Sequence, residues 1–268
     1  MSITKAHYSL IRHLRENNIL PYCNTILEIG EHNWYGDIHP KVLFDDIKLF
    51  AKESQKEDLT VELKSILKDS SQSMLFDIAK IFYKVFFHAE CIEAIDLHGT
   101  SSAMRLDLNL PHDLGKKYDL IVNLGTAEHV FNVYQVFSSI HEWLKKDGIV
   151  FHHLPMYGEI DHGFYNFHPT FYFDLSLANK YHHILIGKAT MNEIKCYSDR
   201  ETLTKDILTM DKDKSYHILS LMKKISDKEF QIPRQGFYDD NLVNKKSLVD
   251  AWKKQRKISD ISSQNGDK

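Results

Sequence analysis

The sequence predicts an α/β fold: a doubly wound, mostly parallel sheet with a helical insertion after its first strand. Short apolar runs that end in polar residues or glycine alternate with stretches of helical spacing. The clearest unit runs from Tyr118 to Pro169 and reads as strand, polar loop, helix, glycine turn and strand. That order is typical of a parallel crossover connection. Between the first two predicted strands, residues 40–90 have a mostly helical pattern, which predicts the insertion.

Seven strands are predicted from apolar runs that are bounded by turn residues or charges. They are Thr25 to Gly30, Cys91 to Asp96, Met104 to Pro111, Tyr118 to Gly125, Ile149 to Leu154, His183 to Ala189 and Tyr216 to Lys223. Pro155 is expected to end the fifth strand because proline cannot donate to the ladder. Residues 192–213 are left without an assignment.

The predicted helices share apolar residues at helical spacing. They cover Ile3 to Leu20, Val42 to Ala51, the region around Leu59 to Leu67, Leu75 to Phe86, Val133 to Leu144 and Pro169 to Tyr181. Pro21 is expected to end the first of them. The cations and glycine of residues 145–148 are expected to close the helix that precedes them.

A single domain is predicted over residues 1–252, with the insertion at about 40–90 and a polar tail at 253–268. The chain has 268 residues, which is long enough to bury one large core. Its 43% hydrophobic and 26% charged residues are ordinary for a globular protein.

Charge and cysteine usage predict a cytoplasmic protein. The net charge of −3 does not favour nucleic acid or an anionic membrane as a partner. Cys23, Cys91 and Cys196 have no paired spacing, which argues for a reducing compartment and against a cysteine zinc site. The first residues alternate between polar and apolar, so no signal peptide is expected. Charges interrupt the most apolar helix, Met74 to His88, so no membrane span is expected.

Polar residues follow successive predicted strands. Glycine and acids lie at the ends of the first three, and a polar stretch follows the fourth: Glu28 with Gly30, Asp96, Asp107, and Asn123 to Glu128. In a doubly wound sheet these ends lie along one edge, where ligands bind. Gly30 would permit a sharp turn, and Asp96 would accept two hydrogen bonds from a vicinal diol such as a ribose. The pattern predicts a nucleoside site.

These segments resemble the class I S-adenosylmethionine-dependent methyltransferases, whose fold is a seven-stranded Rossmann-like sheet with its last strand antiparallel. The resemblance implies S-adenosyl-L-methionine as the cofactor. Glu28 and Gly30 would line its methionine part, Asp96 would hold the ribose and Asp107 would meet the adenine. Asn123 and the turn after it, including Glu128, would lie near the transferable methyl group. The residues that carry the resemblance are Ile26-Leu27-Glu28-Ile29-Gly30, Asp96, Asp107, Tyr118 to Asn123 and Glu128-His129-Val130.

Two features depart from the family pattern. Glu31-His32-Asn33 stand where the family usually has further glycines. Asp96 follows Gly30 at far more than the ~20 residues of a compact dinucleotide-binding unit. The inserted helices must lie within that crossover, and we expect them to form a lid or a wall of the substrate site.

The 16 histidines raise the question of a general base or a metal. Candidates for a base are His129, His153, His162 and His168. The segment Asp161 to Pro169 combines histidines with aromatic rings and Asn166, a composition suited to a small polar acceptor. It is equally the composition of a structural loop whose histidines cap carbonyl groups. The predicted catalytic residues are His129, His162 and Asn166.

No metal is predicted. Glu128 and His129 with His153 or His162 are residue types that ligate a divalent ion, and some quinone-pathway methyltransferases that this Glu-His-Val turn resembles bind one. However, neighbouring residues point apart on a helix or strand, and no ligand spacing repeats in the sequence.

The predicted function is S-adenosylmethionine-dependent methylation of an unidentified small molecule at oxygen, nitrogen or carbon. A non-catalytic protein of the same fold, binding the nucleoside or a partner subunit, is the alternative. A nicotinamide-dependent enzyme is a third hypothesis, against which the lack of a Gly-x-Gly-x-x-Gly turn argues. The sequence assigns no oligomeric state.

Overall fold

The computed structural model describes residues 2–68, 71, 73–190 and 193–236. Its strands, in chain order, are β1 (Ser2–Ile3), β2 (Thr25–Ile29), β3 (Asn33–Trp34), β4 (Cys91–Ile95), β5 (Tyr118–Leu124), β6 (Leu144–Tyr157), β7 (Tyr181–Ala189), β8 (Ile194–Tyr197) and β9 (Tyr216–Lys224). Its α-helices are α1 (Lys5–Glu16), α2 (Leu43–Phe50), α3 (Lys56–Ile66), α4 (Met74–Phe87), α5 (Val133–Trp143), α6 (Pro169–Asn179) and α7 (Arg200–Ile207).

Seven of the strands form one sheet in the order β4-β2-β5-β6-β9-β7-β8. The neighbours β4, β2, β5 and β6 run parallel to one another. Strand β9 is antiparallel to both β6 and β7, and β8 is antiparallel to β7. The predicted fold class, a seven-stranded, mostly parallel Rossmann-like sheet with a helical insertion after its first strand, is therefore confirmed.

One predicted strand is wrong and another element replaces it. The segment from Met104 to Pro111 forms only an isolated bridge between Met104 and Ile95. The side chain of Asp107 instead accepts hydrogen bonds from the backbone and side-chain nitrogens of Asn109, a local turn that competes with strand pairing. The seventh strand of the sheet is β8, which lies in the region that the sequence left unassigned.

Two predicted boundaries in the central crossover also differ. Helix α5 ends at Trp143, and Leu144 already pairs with Tyr118 in the sheet. Residues 145–148 therefore belong to β6 and do not close a helix. Pro155 does not end β6, because the strand continues beside β9 to Tyr157 with an irregularity after the proline.

The sheet separates two layers of core. Helices α1 to α4 pack on one face, where Ile47, Leu63 and Phe82 share a cluster with sheet residues such as Ile26 and Val122. Helices α5 to α7 pack on the other face. Burying a side chain such as Phe82 is worth roughly 1.5–3 kcal/mol. The inserted helices are thus part of the core, and a role for them as a lid or a wall of the substrate site stays a prediction.

Helix α1 is joined to this layer by a buried cation. The Arg15 guanidinium donates to the carbonyl oxygens of Phe86 and Leu20. A charge in the interior is tolerated when all its donors are satisfied. The helix ends at Glu16 with Asn17 as its cap, one turn before Pro21.

Within the described part of the chain, no helix is long and apolar enough to span a membrane. The predicted polar tail, residues 253–268, lies outside the described residues. The boundaries of the predicted domain therefore stay a prediction.

Candidate active site

The turns after β2, β4 and β5 are bonded to one another at the carboxyl edge of the sheet. Gly30 has a φ of 79°, a backbone conformation that favours glycine. The amide of Glu31 donates to Oδ2 of Asp96 at 2.9 Å. The Thr126 hydroxyl donates to the carbonyl oxygen of Ile29. The structure thus brings together Gly30, Asp96 and the turn after Asn123.

Asp96 is half-buried, and each of its oxygens accepts one backbone amide. Glu31 donates to Oδ2, and His98 donates to Oδ1 at 2.7 Å. A carboxylate offers about four lone-pair sites, so one site remains on each oxygen. Two acceptor sites side by side match a vicinal diol, which is the geometry that a ribose requires.

Glu28 is fully buried and already has a cationic partner. Its Oε2 accepts from the ammonium group of Lys80, which α4 carries to the end of β2. Nδ1 of His32 lies 3.1 Å from Oε1 and is hydrogen-bonded to the Tyr83 hydroxyl at 2.8 Å. Burial alone would raise the pKa of Glu28, but the charges of His32 and Lys80 outweigh it and lower the pKa. A role for Glu28 in cofactor binding stays a prediction.

Lys80 and Tyr83 belong to this site but were not predicted from the sequence. The available signal was a lysine in the middle of α4, flanked by the apolar residues Ala79 and Ile81. A lysine that points toward the core needs an acid, and Glu28 at the end of the neighbouring strand is that acid.

The turn that lacks the family's glycines is closely packed. Glu31 is 2% exposed, and its carboxylate accepts from the amide and the hydroxyl of Thr100 at 2.6 and 2.9 Å. A Cβ at Gly99 would lie 2.7 Å from Oε2 of Glu31. Glu31 therefore ties the turn after β2 to the loop after β4.

The remaining predicted cofactor residues differ in their surroundings. Asn123 is fully buried, and its Oδ1 accepts from the amides of Thr126 and Ala127 at 3.3 and 3.4 Å. Its side chain therefore shapes the turn that presents Glu128. Asp107 is exposed, and the described contacts of its side chain are with Asn109. The structure does not bring it into contact with Gly30 or Asp96.

Glu128 forms the centre of a second group of polar residues. It lies in the 3₁₀ turn Ala127–His129 and is 1% exposed. Its Oε1 lies 3.7 Å from Nε2 of His129 and 3.7 Å from Nε2 of His162. Burial raises the pKa of the Glu128 carboxyl to about 7 and lowers the pKa of His129. The predicted residues Glu128, His129 and His162 are therefore neighbours in space.

The loop after β6 is fixed against Glu128 by its backbone. The amide of Phe164 donates to the Glu128 carbonyl oxygen at 2.7 Å. The hydroxyl of Tyr165 donates to the carbonyl oxygen of Phe131 at 2.8 Å. Asn166 and His168, further along this loop, are exposed. The catalytic role predicted for Asn166 stays a prediction.

Gly163 permits this close approach, and we expect Gly163→Ala to displace the loop. A Cβ there would lie 2.9 Å from the Glu128 carbonyl oxygen, so either the loop or the turn must move. We expect a loss of roughly 1–3 kcal/mol of stability, as for other overpacked sites. Urea unfolding measures the loss, and amide exchange at Phe164 reports on the loop. A stable variant with unchanged exchange at Phe164 would contradict the steric argument.

His153, another base candidate, belongs to a row of buried and half-buried imidazoles. Its Nδ1 lies 2.7 Å from Nε2 of His7 on α1, and its ring centroid lies 4.8 Å from that of His217. His217 in turn lies 3.2 Å from Glu159. Burial lowers the pKa of His7 to about 3 and that of His153 well below its ordinary value. These imidazoles are neutral at physiological pH.

Two surface cavities lie away from this edge of the sheet. One, of about 580 Å³, is lined by residues before β5 and at the end of α5, including His112 and Trp143. The other, of about 330 Å³, lies between α1 and α2 beside Arg12 and Asp46. Neither is lined by Gly30, Asp96 or Glu128.

No protein-family model matches the chain, and no curated protein matches its sequence at a significant level. Among solved structures, this chain is similar to the N-methyltransferase NodS from Bradyrhizobium japonicum WM9 with bound S-adenosyl-l-homocysteine. The sequence identity is 10% and the TM-score is 0.45, and the match covers 83% of this chain and 89% of NodS. The O-methyltransferase from the trans-AT PKS multienzyme of Brevibacillus brevis is 10% identical, with a TM-score of 0.39. That match covers 75% of this chain and 67% of the O-methyltransferase chain. The Burkholderia thailandensis 1,6-didemethyltoxoflavin-N1-methyltransferase is 9% identical, with a TM-score of 0.34. That match covers 82% of this chain and 78% of the toxoflavin methyltransferase chain. Because these likenesses are distant, the fold assignment rests on the strand order of this chain.

Proposed function

We propose that this protein is an S-adenosylmethionine-dependent methyltransferase that acts on a small molecule. One observation carries the proposal. At the carboxyl edge of a sheet with a reversed β9, the Gly30 turn and the Asp96 carboxylate are joined by the hydrogen bond from Glu31. Ligands bind at this edge in open α/β sheets, and the motif residues resemble those of the methyltransferases.

The residues around Asp96 fit the nucleoside part of the cofactor. The two remaining acceptor sites of its carboxylate would hold the ribose hydroxyls. Gly30 leaves room for a close approach to the backbone, and Asp107 would meet the adenine. S-adenosylmethionine supplies the methyl group when it is bound. Glu28 would lie near its methionine part and Asn123 near the transferable methyl group.

Glu128, His129 and His162 support an acceptor site next to the cofactor. A carboxyl group with a pKa of about 7 can take up or release a proton near neutral pH. Beside it the rings of Phe131 and Phe164 are exposed, with centroids 5.7 Å apart. Aromatic faces next to a few polar groups suit a small molecule with an apolar body. The sequence-based assignment of His129, His162 and Asn166 to catalysis is part of this proposal.

Calorimetric titration with S-adenosylhomocysteine tests the proposed function. We expect micromolar binding by the wild type and at least tenfold weaker binding by Asp96→Asn, which loses a charged acceptor for the diol. Asp113→Asn is the control, since this exposed acid caps a turn before β5. No binding by the wild type, or equal binding by Asp96→Asn, would contradict the proposal. Thermal unfolding of each variant establishes that it is folded.

The alternative, a non-catalytic protein that binds the nucleoside or a partner subunit, is favoured by the closed turn after β2. Glu31 and His32 are buried where the family usually has glycines, and Glu28 is paired with Lys80. Binding of S-adenosylmethionine without turnover across a panel of phenols, amines and carboxylic acids would favour this alternative.

A further inference from the structure

The carboxylate of Glu128 is buried without a hydrogen-bond partner. Neither oxygen is hydrogen-bonded to any residue in the described part of the chain, and the side chain is 1% exposed. Buried polar groups are nearly always paired, and an unpaired buried carboxylate is especially costly. A site of this kind is expected to bind a cationic partner.

Two imidazoles face the same carboxylate oxygen. Nε2 of His129 and Nε2 of His162 each lie 3.7 Å from Oε1 of Glu128, and the three ligand atoms all lie within 4.8 Å of one another. Side chains of neighbouring residues diverge on a helix or strand, but Glu128 and His129 lie in a 3₁₀ turn. Their side chains therefore converge, although the sequence predicted that they would point apart.

The surrounding structure holds His162 in this position. Gly163 lets the chain pack against the backbone of Glu128, and the amide of Phe164 fixes the loop there. On the other side of the His162 ring, Nδ1 lies 3.9 Å from Oε2 of Glu159. A carboxylate that accepts a hydrogen bond from one ring nitrogen leaves the other free to ligate a metal, and a small shift of Glu159 would make that bond.

We propose that Glu128, His129 and His162 bind one divalent transition-metal ion, for which Zn²⁺ is the test probe. One carboxylate and two imidazoles suit zinc and its neighbours, whereas magnesium and calcium prefer oxygen ligands alone. Ligand atoms around a tetrahedral zinc lie about 3.3 Å apart, so the two separations of 3.7 Å from Glu128 need to close by a few tenths of an ångström. The two imidazole nitrogens lie within 4.8 Å of each other, and the exposed rings can turn to bring them closer. This proposal reverses the sequence-based prediction that no metal is bound.

The ion would keep open coordination positions toward the solvent. The imidazoles are 41% and 43% exposed, so the side away from Glu128 is accessible. An ion with open positions binds an oxygen of a small molecule and lowers its pKa. If the proposed function holds, on which this last step rests, the ion selects acceptors that present a hydroxyl or carboxyl oxygen.

Zinc titration of metal-stripped protein tests the site without any measurement of activity. We expect calorimetry to show one Zn²⁺ per chain at micromolar or tighter affinity, together with a rise in Tm. Glu128→Gln and His162→Ala should each weaken binding at least tenfold, since each removes one of three ligands. His182→Ala, which removes an exposed histidine of β7 outside the cluster, should bind zinc like the wild type.

Three outcomes would overturn the proposal: no zinc binding by the wild type, equal binding by Glu128→Gln and His162→Ala, or tighter binding of Mg²⁺ than of Zn²⁺. Glu128→Gln preserves the shape of a buried side chain and His162→Ala alters an exposed one, so at least one folded variant is expected. Because S-adenosylhomocysteine binding is measured separately, failure of the metal site and failure of the proposed function are distinguishable.

Discussion

Replacement of Lys80 by methionine is expected to destabilise the protein by about 3 kcal/mol. Glu28 is fully buried, and the ammonium group of Lys80 contacts its Oε2 from α4. Removal of one partner from a buried ion pair leaves the other charge uncompensated, which costs more than the pair itself contributes. Urea unfolding followed by circular dichroism measures the loss.

The same helix provides a matched control. Lys84 lies one turn further along α4 and pairs with Glu62, whose side chain is 42% exposed. Exposed pairs contribute less than about 1 kcal/mol, so Lys84→Met should be much milder than Lys80→Met. The double variant Glu28→Gln/Lys80→Met should recover part of the stability lost in Lys80→Met. Equal losses of stability in Lys80→Met and Lys84→Met would show that the buried Glu28 carboxylate does not depend on Lys80.

Acidification from pH 6 to pH 5 is expected to cost the fold at least about 2 kcal/mol. Burial lowers the pKa of His7 and His152 to about 3 and that of His153 well below 6.5. Below about pH 6.5 the unfolded chain takes up protons that the folded chain does not, so stability falls as the pH falls toward 3. Each imidazole lowers the free energy of unfolding by about 1.4 kcal/mol per pH unit of acidification. The Glu128 carboxyl, with its raised pKa, takes up a proton in the folded protein and so offsets the loss from one imidazole.

Urea unfolding at a series of pH values measures this slope. His152→Asn should reduce it by about 1.4 kcal/mol per pH unit, because one buried imidazole is removed while an acceptor for the Asn123 amide is kept. His182→Asn, an exposed substitution on β7, is the control for loss of a surface histidine. A slope that does not change in His152→Asn would mean that this imidazole is protonated in the folded protein.

The elements of the fold that could be predicted are those with a strong local pattern. Strands β2, β4 and β5 are apolar runs that end in polar or turn residues, and α4 has a continuous apolar face. The predictions failed where pairing with a distant strand decides the outcome. Leu144 and the residues after it look like a helix end, yet they join the sheet because Tyr118 lies beside them. Near Asp107, local side-chain bonds prevailed over an apolar alternation.

The site could be predicted in part for the same reason. Strand ends share one edge, so Gly30, Asp96 and Asn123 were expected near one another. Contacts that arise from packing between layers carry no local signal, as in the pairing of His7 on α1 with His153. The convergence of Glu128, His129 and His162 depends on a 3₁₀ turn and on Gly163, neither of which a spacing rule describes.

The isolated Met104 bridge leaves β4 as the strand at one edge of the sheet, a position that invites addition of a strand from another molecule. Glu93 lies in the middle of β4 beside Lys116 and accepts a hydrogen bond from the Tyr118 hydroxyl. A neighbouring chain that paired there would have to desolvate this charge, which is a common defence of exposed strands. The shortened sheet therefore retains a barrier to amyloid-like self-association.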